Sequence, residues 1–454
     1  DGYVAGMPPI VWFRRDLRLA DHPALRAAME GSERIVPLFL LDPALLTPAG
    51  APRVAFMLDC LRELDRDLGG GLVVRTGDPA DVVPALAREV DADAVHISAD
   101  FNPYGRRRDE RVAEALGEIP LTATGSPYAV SPGRIRKPDG DPYRVYTPFY
   151  RAWSEHGWPS PPPRPRSVSP VGGLQSDRLP AKPDVGPASL PSAGETAATT
   201  RWKDFRDEHL QGYAGDRNRP DLAATSRLSP YLRWGCLHPR TALADLRGRT
   251  GKGAEVFRKE LAWREFYADV LFHQPGSARD HLQPRYAELK VDTGKSADER
   301  FAAWCEGRTG YPIVDAGMRQ LRDEAWLHNR VRMIVASFLV KDLHLGWKEG
   351  ARHFMRYLVD GDLASNQHGW QWVAGSGTDA APFFRVFNPV LQGQKFDPQG
   401  EYVRRYVQEL RSVDGPAVHE PWKLDEQPAG YPEPIVDHND ERREALVRYE
   451  AVKS

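Results

Sequence analysis

The hydrophobic pattern changes character once, across residues 154–200, and this change constrains the fold more than any other feature. Before it, short apolar runs alternate with helical patterns. Residues 10–12, 35–41, 72–75 and 94–97 have strand length, and 54–68 repeats apolar residues at helical spacing. That alternation predicts an α/β fold: a doubly wound, Rossmann-like parallel sheet with ligands at its strand ends. After Arg201 the strand runs vanish. Long amphipathic patterns at 256–272, 314–323, 329–343 and 347–360 predict an all-α half. The stretch between is rich in Pro, Ser and Gly and has no sustained periodicity, which reads as a long linker. The expected division is an α/β domain over 7–135, a linker over 136–200 and a helical domain over 201–454. Met7 is the expected natural start, the six residues before it being foreign to the natural chain.

A chain of 454 residues can build two or more domains around a large core. No apolar run reaches about 18 residues, so no membrane helix is expected. The three cysteines are odd in number and far apart, and no histidines show ligand spacing. A cytoplasmic protein with neither a disulfide framework nor a metal site is expected. With a net charge of −2, any polyanion site must be a local patch. No G-x-G-x-x-G follows the first strand; the basic turn at 12–25 stands there and, alone, reads as a solvated loop. Gly294-Lys295-Ser296 imitates a P-loop end without the preceding strand, and Arg106, Arg107 and Arg108 read as the face of a helix start.

Chemistry concentrates in residues 360–388. Asp360, Asp362, Asn366, Trp370 and Trp372 crowd one helical stretch, and Gly377, Thr378, Asp379 and Pro382 break it into a loop that folds back. Aromatic faces with a few polar groups line cofactor pockets; a helix end with buried indoles explains the residue types equally well. Glu260, Trp263 and Arg264 fall at i, i+3 and i+4, and Asn329, Arg332 and Met333 repeat that spacing. Each set could bind a flat polar heterocycle by stacking, thioether contact and hydrogen bonds. Either set alone would more often be a charged helix face with core anchors. Thr225, Ser226, Arg227, Leu228 and Ser229 offer hydroxyls and N–H groups at a helix start, a phosphate cradle.

Taken together, TSRLSPYLRWG at 225–235, ELAWREFY at 260–267, TGYPIVDAGMRQL at 309–321, HNRVRM at 328–333, ASFLVKDL at 336–343 and the 360–388 stretch resemble the photolyase/cryptochrome family. The resemblance spans nearly the whole chain and is strongest to class I photolyases specific for cyclobutane pyrimidine dimers. It implies an α/β antenna domain and a helical domain holding FAD, reduced in its active form. The implied FAD contacts are Tyr213, Thr225, Ser226, Arg227, Leu228, Ser229, Arg332, Asp360 and Asp362, with Asn366 beside flavin N5. Glu260, Trp263, Asn329, Met333 and Trp372, together with Asn366, are implied to act on a flipped-out dimer. Trp370 and Trp347 are implied to carry electrons; the relay's third Trp is absent, because position 294 is Gly, leaving Trp304 or Tyr286 as substitute donors. Arg217, Arg264, Arg330 and Gln392 match DNA-contacting positions. Arg53, Asp100, Asn102, Arg108 and Arg233 match an antenna pocket, for 8-hydroxy-5-deazaflavin or alternatively methenyltetrahydrofolate or FMN. The implied activity is light-driven repair of cyclobutane pyrimidine dimers by electron transfer from excited reduced FAD, in a monomer that meets damaged DNA at the nucleoid. A blue-light photoreceptor without repair is the alternative. A flavin redox enzyme is a third reading, weakened by the missing nicotinamide fingerprint.

Overall fold

The computed structural model describes residues 7–379 and 383–452, so Pro382 of the expected helix-breaking loop lies outside the described residues. Five parallel strands form one sheet: β1 (Ile10–Phe13), β2 (Val36–Leu41), β3 (Val73–Thr76), β4 (Val95–Ile97) and β5 (Leu121–Ala123). Their order is β3-β2-β1-β4-β5. All six residues of β2 are buried, which is why VPLFLL is continuously apolar rather than alternating. Ile10 of β1 pairs with Val36 on one side and Val95 on the other. The winding reverses between β1 and β4, so a crevice is expected at their carboxyl ends. The three-residue, half-exposed β5 is too short and too polar to stand out in the sequence.

The segment expected to be a free linker is tied down along its length. Helix Tyr146–His156 lies within it, burying Tyr146, Phe149 and Trp153, and helix Gly194–Asp204 straddles its end. Between them, Ile35 N donates to Ser169 O (3.1 Å) and Val171 N donates to Ile35 O (2.8 Å), so the chain runs beside the start of β2. One burial face of three aromatics is too brief to register as periodicity.

The helical half contains Lys252–His273, Pro312–Glu324, Asn329–Ser337, Trp347–Tyr357 and Leu363–Val373. The helix expected over 329–343 widens into a π turn at Phe338–Asp342, and the one expected to reach 360 stops at Tyr357, where Leu358 turns extended. A single buried cluster runs from Val11 and Phe13 of β1 through Phe56 to Trp234 and Phe266, so the two halves share a core. Among the described residues no helix is long and apolar enough to cross a membrane, and no His, Cys, Asp and Glu cluster could hold a metal ion.

Candidate functional site

Helix Leu363–Val373 packs against Lys252–His273, Asn329–Ser337 and Trp347–Tyr357, which brings the three expected stretches together. Close approach is built in: a Cβ on Gly350 would lie 2.1 Å from the Trp370 ring. His368 stacks on Tyr267 and meets Ala364 O (2.8 Å) and Ser277 Oγ (3.0 Å); burial lowers its pKa to about 4, so it stays neutral. Asn366 Nδ2 donates to Ala351 O (3.1 Å) and Gln367 Oε1 (2.9 Å), which turns Oδ1 away from those acceptors.

The two carboxylates at the head of this helix behave differently. Asp360 Oδ2 receives Arg332 Nη2 at 2.7 Å, while its Oδ1 is buried without a partner among the described residues. A buried acceptor left unpaired costs about 1–3 kcal/mol, so this oxygen is a site for a ligand donor, such as a sugar-alcohol hydroxyl or a ring N–H. Asp362, also expected at the flavin, is engaged by the chain itself through both oxygens. Its Oδ1 caps the helix through Ser365 N (3.1 Å) and its Oδ2 takes Arg15 Nη2 (2.7 Å) from the α/β half. Burial pushes the Asp362 carboxyl up, but Arg15, Arg233 and Arg264 outweigh it and hold the group well below the usual carboxylate range.

The expected phosphate cradle is organised by Arg201, which donates to Ser226 O (2.8 Å) and Thr225 O (3.1 Å). Ser229 opens a helix of six residues and accepts Trp326 Nε1 at 3.1 Å. Leu228 of this turn is buried, and so is Tyr213, which packs against Phe205 and Phe257. Arg227 sits at φ 49°, pairs with Glu324 (2.9 Å) and lies 4.3 Å over Trp326, so its charge faces a carboxylate rather than standing free.

A second set of expected residues, Arg217, Glu260, Arg330, Met333 and Trp372, is half-buried. Glu260 accepts Arg217 at 2.8 Å with both side chains about a quarter exposed. Burial raises the Glu260 carboxyl, and Arg217 opposes the shift. Arg330 donates to Asn218 Oδ1 (2.9 Å) and lies 4.5 Å over Phe396. Met333 and Trp372, half-buried, pack against the cluster that contains Trp304 and Trp370; among the described residues, Trp372 Nε1 and Gln392 Oε1 are buried without a partner. Asn329 is exposed at the first turn of its helix, which His328 caps. Arg264, expected at DNA, points the opposite way: it donates to Pro127 O (3.0 Å) and Leu232 O (3.1 Å) and lies over Tyr128. Position i+4 from Glu260 falls on the flank of the helix, where the α/β half covers it.

The basic turn after β1 is not solvated. Arg15, Asp16, Arg18 and Asp21 are all buried, and Arg18 Nη1 donates to Gly235 O at 2.9 Å. The expected antenna residues gather at this seam, outside the ends of β1 and β4. Asp100 Oδ1 accepts both Asn102 N and Nδ2 (3.1 Å each), and Arg108 lies 5.1 Å over Trp12 while pairing with Asp109 (2.8 Å). Across the seam, Arg53 donates to Met355 O (2.6 Å) and Arg233 to Gly361 O (2.9 Å). Among the described residues Arg233 Nη1 is buried without a partner; burial, then Arg15, lowers its pKa to about 9. Sequence reasoning missed Arg15, whose only signal was a basic turn at a switch point, and Tyr146, for which no local signal exists.

Trp370 meets Trp304 edge-on at 6.2 Å and Phe354 at 5.0 Å, whereas Trp347 meets His281 at 5.8 Å. Beside Trp347 a cavity of about 260 Å³ is lined by Tyr286, His281 and Tyr449. Gly294 is exposed at φ 87°, a backbone that a Trp would adopt only under strain.

Residues 9–166 match the family description "DNA photolyase", and residues 257–451 match "FAD binding domain of DNA photolyase". The chain is 43% identical over 466 residues to a deoxyribodipyrimidine photo-lyase of Streptomyces griseus, covering 98% of each protein. It is 39% identical over 479 residues to the one of Halobacterium salinarum, covering 98% of this chain and 99% of that protein. A crystal structure of a bacterial class III photolyase from Agrobacterium tumefaciens superposes with a TM-score of 0.92 at 37% identity, covering 100% of this chain and 99% of that one. An archaeal photolyase from Sulfolobus tokodaii, solved with two FAD molecules, gives 0.84 at 30% identity, covering 98% and 99%.

Proposed function

The chain belongs to the DNA photolyase family, and on that premise we propose that it is a deoxyribodipyrimidine photo-lyase, splitting cyclobutane pyrimidine dimers in DNA under blue light. FAD, when bound and reduced, supplies the light-driven one-electron donation. One observation carries the assignment of its site: Asp360 Oδ1, unpartnered among the described residues and buried three residues before the helix that presents Asn366. Asp360 and Arg332 would hold the cofactor's polar chain, and Asn366 would offer a neutral amide to its ring edge. Tyr213 and the 225–229 turn would flank its phosphates.

On the substrate side, Trp263 and Trp372 would stack on the extruded bases, with Met333 filling beside them and Asn329 and Glu260 hydrogen-bonding their edges. Burial pushes Glu260 toward its proton-donating form, which suits a group facing developing negative charge on a base carbonyl. Arg217, Arg330 and Gln392 would hold the strand, and binding should weaken with salt. Fused dimers stack poorly, so their extrusion costs less than that of normal bases.

The antenna reading remains 8-hydroxy-5-deazaflavin between Asp100, Asn102, Arg108, Arg53 and Arg233; the unpartnered Arg233 Nη1 supports an oxygen-bearing, anionic edge there. Release of bound pigments by acid and their chromatographic identification separates deazaflavin from folate, FMN or a second FAD. We read the protein as a cytoplasmic monomer that meets the nucleoid through damaged DNA.

The deciding experiment combines an absorption spectrum with illumination of an oligonucleotide carrying a thymine dimer. Dimers that survive blue light in the presence of protein-bound reduced FAD would overturn the repair assignment and favour a photoreceptor.

A further inference from the structure

Tyr146 is the first residue of a helix inside the segment that looked like linker, yet its ring reaches Trp263, one of the residues assigned to the substrate. It lies flat against the Trp263 indole, with centroids 3.7 Å apart and planes 7° from parallel. Its hydroxyl donates to Lys259 O (2.7 Å), one turn before Trp263 on the same helix. Its backbone N–H donates to Asp379 Oδ1 (2.9 Å), in the loop that follows the Leu363–Val373 helix. That loop is fastened to the same point of the chain: Asp379 N (2.8 Å) and Thr378 Oγ1 (2.6 Å) both donate to Arg144 O. Asp379 adopts φ 62°, a left-handed backbone that a non-glycine residue holds only when its surroundings fix it. Tyr150 stacks behind Tyr146 at 5.9 Å, and Phe266 meets its edge at 5.8 Å.

Every polar group of Tyr146 near this junction is therefore engaged, and one face of the half-buried Trp263 is covered. Phe266 and Tyr267 meet the indole at 5.6 and 5.5 Å with tilted planes, so a base would stack on the face opposite Tyr146. An indole on a helix surface would otherwise have to give up rotamer freedom when a base stacks on it. We infer that Tyr146, braced by Asp379, is a positioning residue for damaged-base recognition: it fixes the Trp263 plane as a one-sided stacking platform and ties the 377–379 loop to that plane. This inference rests on the reading of Trp263 as a wall of the substrate cavity.

The test uses the FAD-loaded full chain and two labelled oligonucleotides, one with a thymine dimer and one undamaged, titrated in the dark. Base–aromatic stacking is strong enough that mis-setting the platform in Tyr146→Leu should weaken dimer binding about tenfold. Binding of the undamaged strand should change less than about twofold, because phosphate contacts are untouched. The repair rate at saturating DNA should fall less than the affinity does. Tyr146→Phe keeps the ring and should stay within about threefold of wild type. Asp379→Gly, which suits the left-handed backbone but removes the acceptor, should shift discrimination in the same direction by a smaller factor, and it serves if Tyr146→Leu loses FAD. Unchanged discrimination in Tyr146→Leu or, where that variant does not fold, in Asp379→Gly overturns the inference, as does equal weakening on both strands. Wild-type protein that binds both strands equally overturns the functional reading itself.

Discussion

The Lys252–His273 helix carries two glutamates five residues apart into opposite surroundings. Glu265 faces the seam, where its carboxylate accepts Ala129 N (2.5 Å), Val130 N (3.0 Å) and Trp153 Nε1 (2.7 Å). Glu260 lies on the side proposed for the substrate and has, among the described residues, one partner, Arg217. Burial raises both carboxyls. What separates them is saturation: the seam uses up the hydrogen-bonding capacity of its charged groups, and the substrate side leaves capacity for something else. Residue type does not reveal which is structural; the number of donors around it does.

The sharpest break of this comparison is Glu265→Ala. It leaves three buried N–H groups without an acceptor and should cost about 3–5 kcal/mol in urea unfolding. Glu260→Gln should stay within about 0.5 kcal/mol of wild type in the same assay while weakening dimer binding. Similar losses for both would erase the distinction.

Next is Asp362→Asn, which unpairs Arg15 at the seam and should cost about 3 kcal/mol at neutral pH. Because the folded Asp362 carboxyl is held below its ordinary value, its contribution is complete above the ordinary carboxylate range and is lost as pH falls through the folded value. The gap between wild type and variant should therefore narrow as unfolding midpoints are followed from neutral pH into acid. A gap that widens would show that Asp362 is not the stabilising partner.

Asp269 offers the opposite sign. It accepts Gly133 N at 2.7 Å, its other oxygen is buried without a partner, and burial raises its pKa to about 6. The charged form penalises the fold above that value, and protonation relieves the penalty as pH drops toward the ordinary range. Asp269→Asn should be more stable than wild type by about 1 kcal/mol at pH 8 and converge with it near pH 4.

The smallest effect should come from Arg330→Ala. It should leave the unfolding midpoint nearly unchanged, weaken damaged and undamaged strands by similar factors, and lower the slope of log affinity against log salt by about 1. An unaltered slope would remove Arg330 from the phosphate contacts.

The sequence displayed the fold wherever periodicity was long. Four of the five strands and the main helices of the second half stand near their expected places, because a buried parallel sheet and amphipathic helices write themselves into local pattern. The site was legible where spacing along one helix sets geometry, as for Glu260 with Trp263. It was not legible where direction depends on what packs alongside. Arg264 turned into the seam, Asp362 turned to Arg15, and the supposedly solvated basic turn became the buried hinge between halves. Pro127 for Arg264, Arg15 for Asp362 and Gly235 for Arg18 each lie more than 130 residues away along the chain, beyond the reach of any local rule.

The seam also sets a schedule for the chain's synthesis. Leu17 N waits for Trp234 O (3.1 Å), Leu19 N for Glu195 (2.8 Å), and Ala129 N for Glu265. A ribosome delivers the five strands well before residue 265 exists, so the nascent sheet can close while its flank still shows bare N–H groups and an apolar face. Contacts of such high sequence separation form late and expose sticky intermediates in the meantime. The face that later holds the two halves together is, for the seconds of translation, an exposed surface open to aggregation.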